Sequence, residues 1–309
     1  LRVYTSQLIG SDPELVMHGG GNTSCKTTMP DLFGDTVRVL CVKGSGWDLG
    51  AIEVPGLPAI KLEPLLELRK LDALSDEDMV NVQRANLMDQ ASPNPSVETL
   101  LHAFLSHNVV DHTHATPFLA LANLPEPELI ANEIFGDSLA IVPYVMPGFA
   151  LAKLAAEIAE QNPEAEGLLL LQHGHFTWGE DAKQSYERVI DHTNRVENWF
   201  ASRRNSLQYT GVDIPKAETQ NFIHDLKRAL IEVSSDASQS FVLNWIDDAA
   251  ITAQIDQHIS NNVLGRGVAT PDHVIRIKAK PLVLRRNIQA GGAETIVTAI
   301  KIAGKTCAA

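Results

Sequence analysis

The chain has 309 residues, 44% of them apolar and 20% charged, enough for one large α/β domain or a main domain with a smaller appendage. Its formal net charge is −13 with no dense Lys/Arg tract, which argues against a broad phosphate-neutralising surface for nucleic acid. An anionic ligand would need positive potential made locally, by a metal, a few lysines or backbone N–H groups. The three cysteines, Cys25, Cys41 and Cys307, are widely spaced with no CxxC, so the expectation is a reducing cytoplasm without a disulfide framework. No apolar run reaches the ~18 residues of a membrane span, and the expectation is that no signal peptide precedes the first element. The opening Leu1 predicts an incomplete N-terminus.

In chain order, "HGGGNTSCK" (His18 to Lys26) reads as a glycine-rich loop, and "DTVRVLCVKG" alternates as a strand ending at a glycine turn. "KLEPLLELRKLDALSDEDMVNVQRANLMDQ" has helical periodicity broken at "LSDED", with Ser75 as N-cap. "PSVETLLHAFLSHN" predicts an amphipathic helix beginning near Ser96. "NVVDHTHATPFLALAN" follows as a strand, then "LAIVPYVMPG", a strand into a Pro/Gly turn, and the helix "FALAKLAAEIAEQN". "GLLLLQHGHFTWGED" reads as a buried strand running into a turn before the helix "AKQSYERVIDHTNRVENWF". Past residue 203 the character changes: "RRNSLQYTGVDIPKAETQ" reads as a linker, "FIHDLKRALIEV" and "SFVLNWIDDAAITAQIDQHI" as helices, "DHVIRIKAKPLVL" and "ETIVTAIKIAG" as strands. No repeat appears, and the elements lack the βαβ rhythm of a doubly wound sheet. The expected fold is a three-layer α/β/α domain over residues 1–203 with an extension over 204–309.

His112 and His114 stand one residue apart in an apolar run. In a strand they project on one face, where two imidazoles can hold a divalent cation if a third ligand arrives. The alternative is a pair of core-edge histidines bonded to backbone. His173, at the end of a buried strand, is either structural or faces a cleft; with His112 and His114 it gives three histidines and an open fourth position, the arrangement of a catalytic zinc. His175 ranks second to it. Glu98, in the first turn of its helix, either compensates the helix dipole or serves as general base beside a metal. His102, one turn on, reads as structural. "GGGNTSCK" and "VKGSGWDLG" offer Asn22, Thr23, Ser24, Lys43, Ser45 and Gly46 as anion nests or as ordinary turns; neither fits a nucleotide-binding pattern.

Taken in order, "GGGNTSCK", "KGSGWDLG", "PSVETLLHAF", "VDHTHATPFLALAN", "VPYVMPG" and "LQHGHFTWG" resemble the class II aldolase/adducin family over roughly residues 10–200. With "GVATPDHVIRIKAKPLVL", the wording is most similar to the aldolase portion of bifunctional rhamnulose-1-phosphate aldolase/short-chain dehydrogenases. The resemblance implies a mostly antiparallel central sheet and residues 204–309 packing on it or bridging to a dehydrogenase domain outside this chain. It also implies Zn2+ on His112, His114 and His173, and Glu98 as acid/base. Asn22, Ser24, Ser45, Gly46 and Ser96 would surround a substrate phosphate, and Tyr144 would reach a neighbouring subunit's site as proton donor. A homotetramer with active sites at subunit interfaces follows, acting on a small sugar phosphate. Val97 stands where sugar-phosphate members often carry a serine, which removes one phosphate hydroxyl.

The function expected is a zinc aldolase cleaving a ketose 1-phosphate, L-rhamnulose 1-phosphate first, to dihydroxyacetone phosphate and L-lactaldehyde. Epimerisation, decarboxylation or dehydration on the same site is the alternative, and an adducin-like module without catalysis is a third reading. The three histidines and Glu98 argue against the last, because a scaffold has no need of them.

Overall fold

The computed structural model describes residues 1–17, 19–203, 216–234, 240–246, 248, 251, 266–274, 277–278, 280–283 and 292–306. They fall into two compact units, Leu1–Arg204 with Ala269–Asp272, and Asn205–Val268 with His273–Ala309.

The first unit is built on a seven-stranded sheet in the order β3-β2-β1-β4-β7-β6-β5. The strands are β1 Asn22–Pro30, β2 Thr36–Val42, β3 Ala59–Lys61, β4 Val109–Thr113, β5 Leu139–Val142, β6 Gly167–Leu170 and β7 Gly174–Gly179. Every pairing is antiparallel except β5 with β6. That parallel pair needs a crossover, supplied by helix α7 (Phe149–Gln161).

Side-chain alternation divides the core in two. On one face Leu40, Val42, Val110, Leu168, Leu170, Phe176 and Trp178 pack with the apolar stripes of α2 (Leu62–Leu68), α3 (Asp76–Ala85), α4 (Thr99–Phe104) and α7. On the other, Leu139, Leu169 and Leu171 pack against α1 (Arg2–Gly10), α5 (Thr116–Ala122), α6 (Pro127–Phe135) and α8 (Ala182–Ala201). This is the three-layer α/β/α arrangement the sequence predicts. β4 lies mid-sheet and is buried at all five positions, so it reads as a continuous run and not as an in/out alternation. Ser75 caps α3 by accepting from the Asp78 N–H, and Asp181 caps α8 by accepting from Lys183 and Gln184.

Several expectations are corrected. Asn22 to Lys26 is strand, not open loop: β1 is paired with β2 on one side and β4 on the other, so ladder bonds take amides that an anion nest would need. "GLLLLQHGHFTWG" makes two strands, β6 and β7, folded on each other about a turn at residues 171–173. The amphipathic helix starts at Thr99, three residues after Ser96, because Ser96 N–H first bonds the Lys43 carbonyl across the neighbouring loop.

In the second unit, "FIHDLKRALIEV" lies within helix α9 (Lys216–Val233) as expected. "ETIVTAIKIAG" is helical, in Gly292–Thr306, not a strand. Its β-branched residues suggested β-structure, but Ile296, Val297 and Ile300 share one helical face and pack with Phe222, Leu226 and Ala229 of α9, so tertiary packing overrides propensity. Among the described residues of "DHVIRIKAKPLVL", the regular part lies in the turn Pro271–Val274, and it is helical, not a strand. Ser240–Ile246 of the expected second helix are in no regular element. Lys216–Gln220, the end of the expected linker, belong to α9; the linker's residues 204–215, most of the second helix's remainder, His18 and Cys307 lie outside the described residues.

Candidate metal centre and active site

Three neighbouring strands assemble the site. The registers Asn22↔His112 and His112↔Phe176 place Asn22 of β1, His112 of β4 and the start of β7 side by side. His114 follows β4 where the chain turns into α5, and His173 sits in the β6–β7 turn, aimed by Gln172 at the left-handed φ of 58°. Gly174 is required next to it. A Cβ there would lie 2.6 Å from the Thr113 carbonyl oxygen and 2.8 Å from His112 Cε1, so any side chain would push the imidazoles apart.

All three imidazoles are buried, and ligand atoms from His112, His114 and His173 lie within 4.8 Å of one another. Their protonation follows from their partners. His112 Nδ1 is 3.0 Å from the His175 carbonyl oxygen, which only accepts, so Nδ1 carries the hydrogen and Nε2 is bare. His114 Nδ1 likewise donates to Asp272 Oδ2 at 2.9 Å. The two bare Nε2 atoms then face each other at 3.0 Å, lone pair to lone pair. That is unfavourable unless a cation lies between them. Nitrogens bonded to one zinc at ~2.05 Å in tetrahedral geometry are about 3.3 Å apart, close to this separation. The cluster therefore fits a divalent metal ion.

Glu98 completes the set from the N-terminal end of α4. Its Oε1 is 3.0 Å from His173 Nε2 and its Oε2 is 3.5 Å from His112 Nε2, with the side chain only 9% exposed. Burial pushes its carboxyl up, but the imidazoles of His112, His173 and His114 outweigh that and hold it well below the ordinary carboxylate value. His112 is pushed well below the ordinary histidine value by burial, against the opposing pull of Glu98. A carboxylate held in its ionised form beside a cluster of imidazole nitrogens is the arrangement that both metal binding and general-base chemistry require.

Asn22 does more here than the sequence suggests. Its amide donates to Glu98 Oε2 at 2.5 Å and to Ser96 Oγ at 3.3 Å, while its Oδ1 pairs with His102 Nε2. It orients the carboxylate. His102 is structural as expected, buried between Asn22 and Ser24, whose hydroxyl lies 2.8 Å from His102 Nδ1. Thr23 points to the opposite face, bonded to Ser6 at 2.7 Å, and Lys43 Nζ is buried and donates to the Gly19 carbonyl at 2.7 Å. Ser45 and Gly46 are exposed and Ser96 half-buried, on two loops zipped together by the bridge Gly44↔Pro95 and the bond Ser45 N–H to Asn94 O. Tyr144 is 52% exposed on the loop after β5, with its hydroxyl 4.0 Å from Met146 Sδ. Val97 is also exposed. His175 faces away from the cluster, stacked on Phe118 and bonded to His192; it serves the site through its backbone carbonyl. The sequence reading missed Asp272, which lies 158 residues from the histidine it holds.

A family model described as "Class II Aldolase and Adducin N-terminal domain" matches residues 2–199. The chain belongs to the class II aldolase/adducin family. A second model, "Aldolase class II, second domain", matches residues 217–306. A curated relative from Bacillus subtilis (strain 168), named uncharacterized oxidoreductase YuxG, is 33% identical over 303 residues. Those cover 97% of this chain but 44% of the relative, so the chain spans less than half of that protein's length. Among solved structures, the N-terminal class II aldolase domain of a conserved protein from Thermoplasma acidophilum is 41% identical with a TM-score of 0.61, covering 64% of this chain and 92% of its own. The class II aldolase/adducin family includes aldolases, which are lyases, and the three-histidine cluster is a place where this member can hold a metal.

Proposed function

We propose that this chain is a zinc-dependent aldolase that cleaves a ketose 1-phosphate, L-rhamnulose 1-phosphate first, reversibly to dihydroxyacetone phosphate and L-lactaldehyde. The observation that carries the reading is the pair of bare Nε2 atoms on His112 and His114, with His173 and the Glu98 carboxylate converging on the same point. Zinc bound there would supply Lewis-acid stabilisation for negative charge developing on substrate oxygens.

The chain's own groups do the rest. In the condensation direction Glu98, oriented by Asn22, takes the proton from the hydroxyl-bearing carbon of dihydroxyacetone phosphate, and the resulting carbanion attacks the aldehyde carbonyl. Tyr144 of a neighbouring copy donates a proton to the new C4 oxygen; its exposure suits a role in trans and a homotetramer with shared sites. Ser45 and Gly46 are exposed, and the Ser96 hydroxyl, whose oxygen accepts from Asn22 and from the Glu98 N–H, keeps its hydrogen to donate; these three are the part of the expected phosphate site placed to meet a phosphate. Asn22, Thr23, Ser24 and Lys43 spend their side chains inside the fold. A reducing cytoplasm suits Cys25 and Cys41, which are free thiols opposite each other on β1 and β2.

The test pairs elemental analysis of the purified protein with a coupled assay for dihydroxyacetone phosphate released from L-rhamnulose 1-phosphate. About one zinc per chain with chelator-sensitive release is the expected result. Zinc without release refutes the substrate and redirects the reaction to an epimerase, decarboxylase or dehydratase; protein that takes up no zinc refutes the metal reading.

A further inference from the structure

The motif "GVATPDHV" supplies the partner of His114: the chain leaves the first unit at Arg204 and returns to it for four residues, Ala269–Asp272. The last of them reaches the metal cluster. Asp272 Oδ2 lies 2.9 Å from His114 Nδ1, with side-chain exposures of 1% and 9%. We propose that Asp272 is a positioning residue for the metal, fixing the tautomer and angle of His114 so that Nε2 presents its lone pair to the ion. The inference rests on the reading of His112, His114 and His173 as metal ligands.

Three features support it. The contact is the only hydrogen bond among the described residues for this carboxylate; Oδ1 has none. A buried carboxylate satisfied on one side alone is costly as a structural device, and an apolar side chain of similar size would pack there at less expense. A cation on the far side of the imidazole changes that balance, because the carboxylate, the ring and the metal then polarise one another in line. The chain also reserves space for this group. A Cβ on Gly20 would lie 1.8 Å from Asp272 Oδ1 and 2.7 Å from its Cγ, so the middle glycine of "GGG" is needed to admit the carboxylate. Finally, the incoming segment is anchored beside the site: Asn123, at the end of α5, donates to the Ala269 carbonyl at 3.4 Å. A purely local role, compensating the dipole of the single turn Pro271–Val274, would leave neither the approach to His114 nor the requirement at Gly20 explained.

The experiment titrates the full chain with zinc against a chromophoric chelator, for wild type, Asp272→Asn, Gly20→Ala, His114→Ala and the double variant His114→Ala/Asp272→Asn, with circular dichroism on each. Asp272→Asn is nearly isosteric and should stay folded while binding zinc roughly 10–100-fold more weakly, the usual range for losing an outer carboxylate. Gly20→Ala should weaken zinc in the same direction. In the His114→Ala background the Asp272→Asn change should have no further effect, which separates action through His114 from a general loosening of structure. Histidine ¹⁵N spectra of the zinc-loaded wild type give a reading independent of any variant: His114 should carry its hydrogen on Nδ1. Wild-type zinc affinity in folded Asp272→Asn, a loss undiminished when His114 is absent, or a His114 hydrogen on Nε2 would each overturn the proposal while leaving the metal site standing. A wild-type chain that binds no zinc overturns it together with the reading beneath it.

Discussion

Replacing Glu98 by glutamine removes one ionisable oxygen from the cluster and very little else. The side chain is 9% exposed and makes three close approaches, to His173 Nε2 at 3.0 Å, His112 Nε2 at 3.5 Å and the Asn22 amide at 2.5 Å. A glutamine carbonyl can still accept from Asn22, and the amide occupies the carboxylate's volume, so the three imidazoles should stay in place and zinc content should hold. What disappears is the base. General-base groups contribute about 10²–10⁴-fold to proton transfer, which is ~3–5 kcal/mol of barrier at 1.36 kcal/mol per decade. Exchange of the dihydroxyacetone phosphate C–H proton with deuterated water, followed by NMR on zinc-loaded protein, reads that step without any aldehyde. The expected result is exchange lowered by two to four orders of magnitude at unchanged zinc stoichiometry. Exchange within threefold of wild type would show that another group takes the proton and that Glu98 only balances charge.

Tyr144→Phe should leave that exchange intact and lower cleavage. Mixed assemblies of Tyr144→Phe and Glu98→Gln chains should regain part of the activity; no recovery means the tyrosine does not act across an interface. Asp111, completely buried next to His112, pairs with Arg2 of α1 at 2.6 Å. Asp111→Ala strands the guanidinium and should cost about 3–5 kcal/mol in urea unfolding, while Arg2→Met/Asp111→Leu should recover most of it; a loss under 1 kcal/mol in the single variant would contradict a buried ion pair. His102 is depressed by burial from 6.5 to about 3. The unfolded chain therefore takes up this proton first. Stability from the neutral ring is complete above pH 6.5 and falls by up to about 1.4 kcal/mol per pH unit as pH drops towards 3. Denaturation of wild type and His102→Gln between pH 7 and 4 should diverge with the wild type losing more; parallel curves would rule this out.

Much of this was legible in the residues because it is governed by local rules. Periodicity located β2, α2, α3, α7 and α8, and Ser75 marked its helix start through a capping bond made within three residues. The spacing of His112 and His114 predicted convergence, and the rings do converge, although β4 ends at Thr113 and the second ring is set by the turn that follows. What could not be read was what the sheet does to a polar run. "NTSCK" has the composition of a phosphate loop, but its position between β2 and β4 is a long-range fact that turns Thr23 to one face and Asn22 and Ser24 to the other. Cys25 and Cys41 look unrelated in sequence and are direct cross-strand partners. Opposed in this way, the Cys25 thiol is lowered to about 7 by the hydrogen bond from Cys41, against burial that would raise it. Asp272 carries no local signal, since its role exists only once the chain has returned to a histidine 158 residues earlier.

The same geometry makes a demand on stability. Around the point where His112, His114 and His173 meet, the fold buries two carboxylates, Glu98 and Asp272, and aims two bare nitrogens at each other. Each arrangement is unfavourable in an interior of low dielectric, and each is relieved by one divalent cation. An ion that binds the folded chain and not the unfolded one stabilises it by RT ln(1 + [L]/Kd), about 4 kcal/mol at a thousandfold excess over Kd. Zinc should therefore raise the melting temperature of chelator-treated protein in a concentration-dependent way, and the rise should shrink in His114→Ala, which loses a ligand. A melting temperature indifferent to zinc would mean that the three imidazoles are packed for each other and not for a metal.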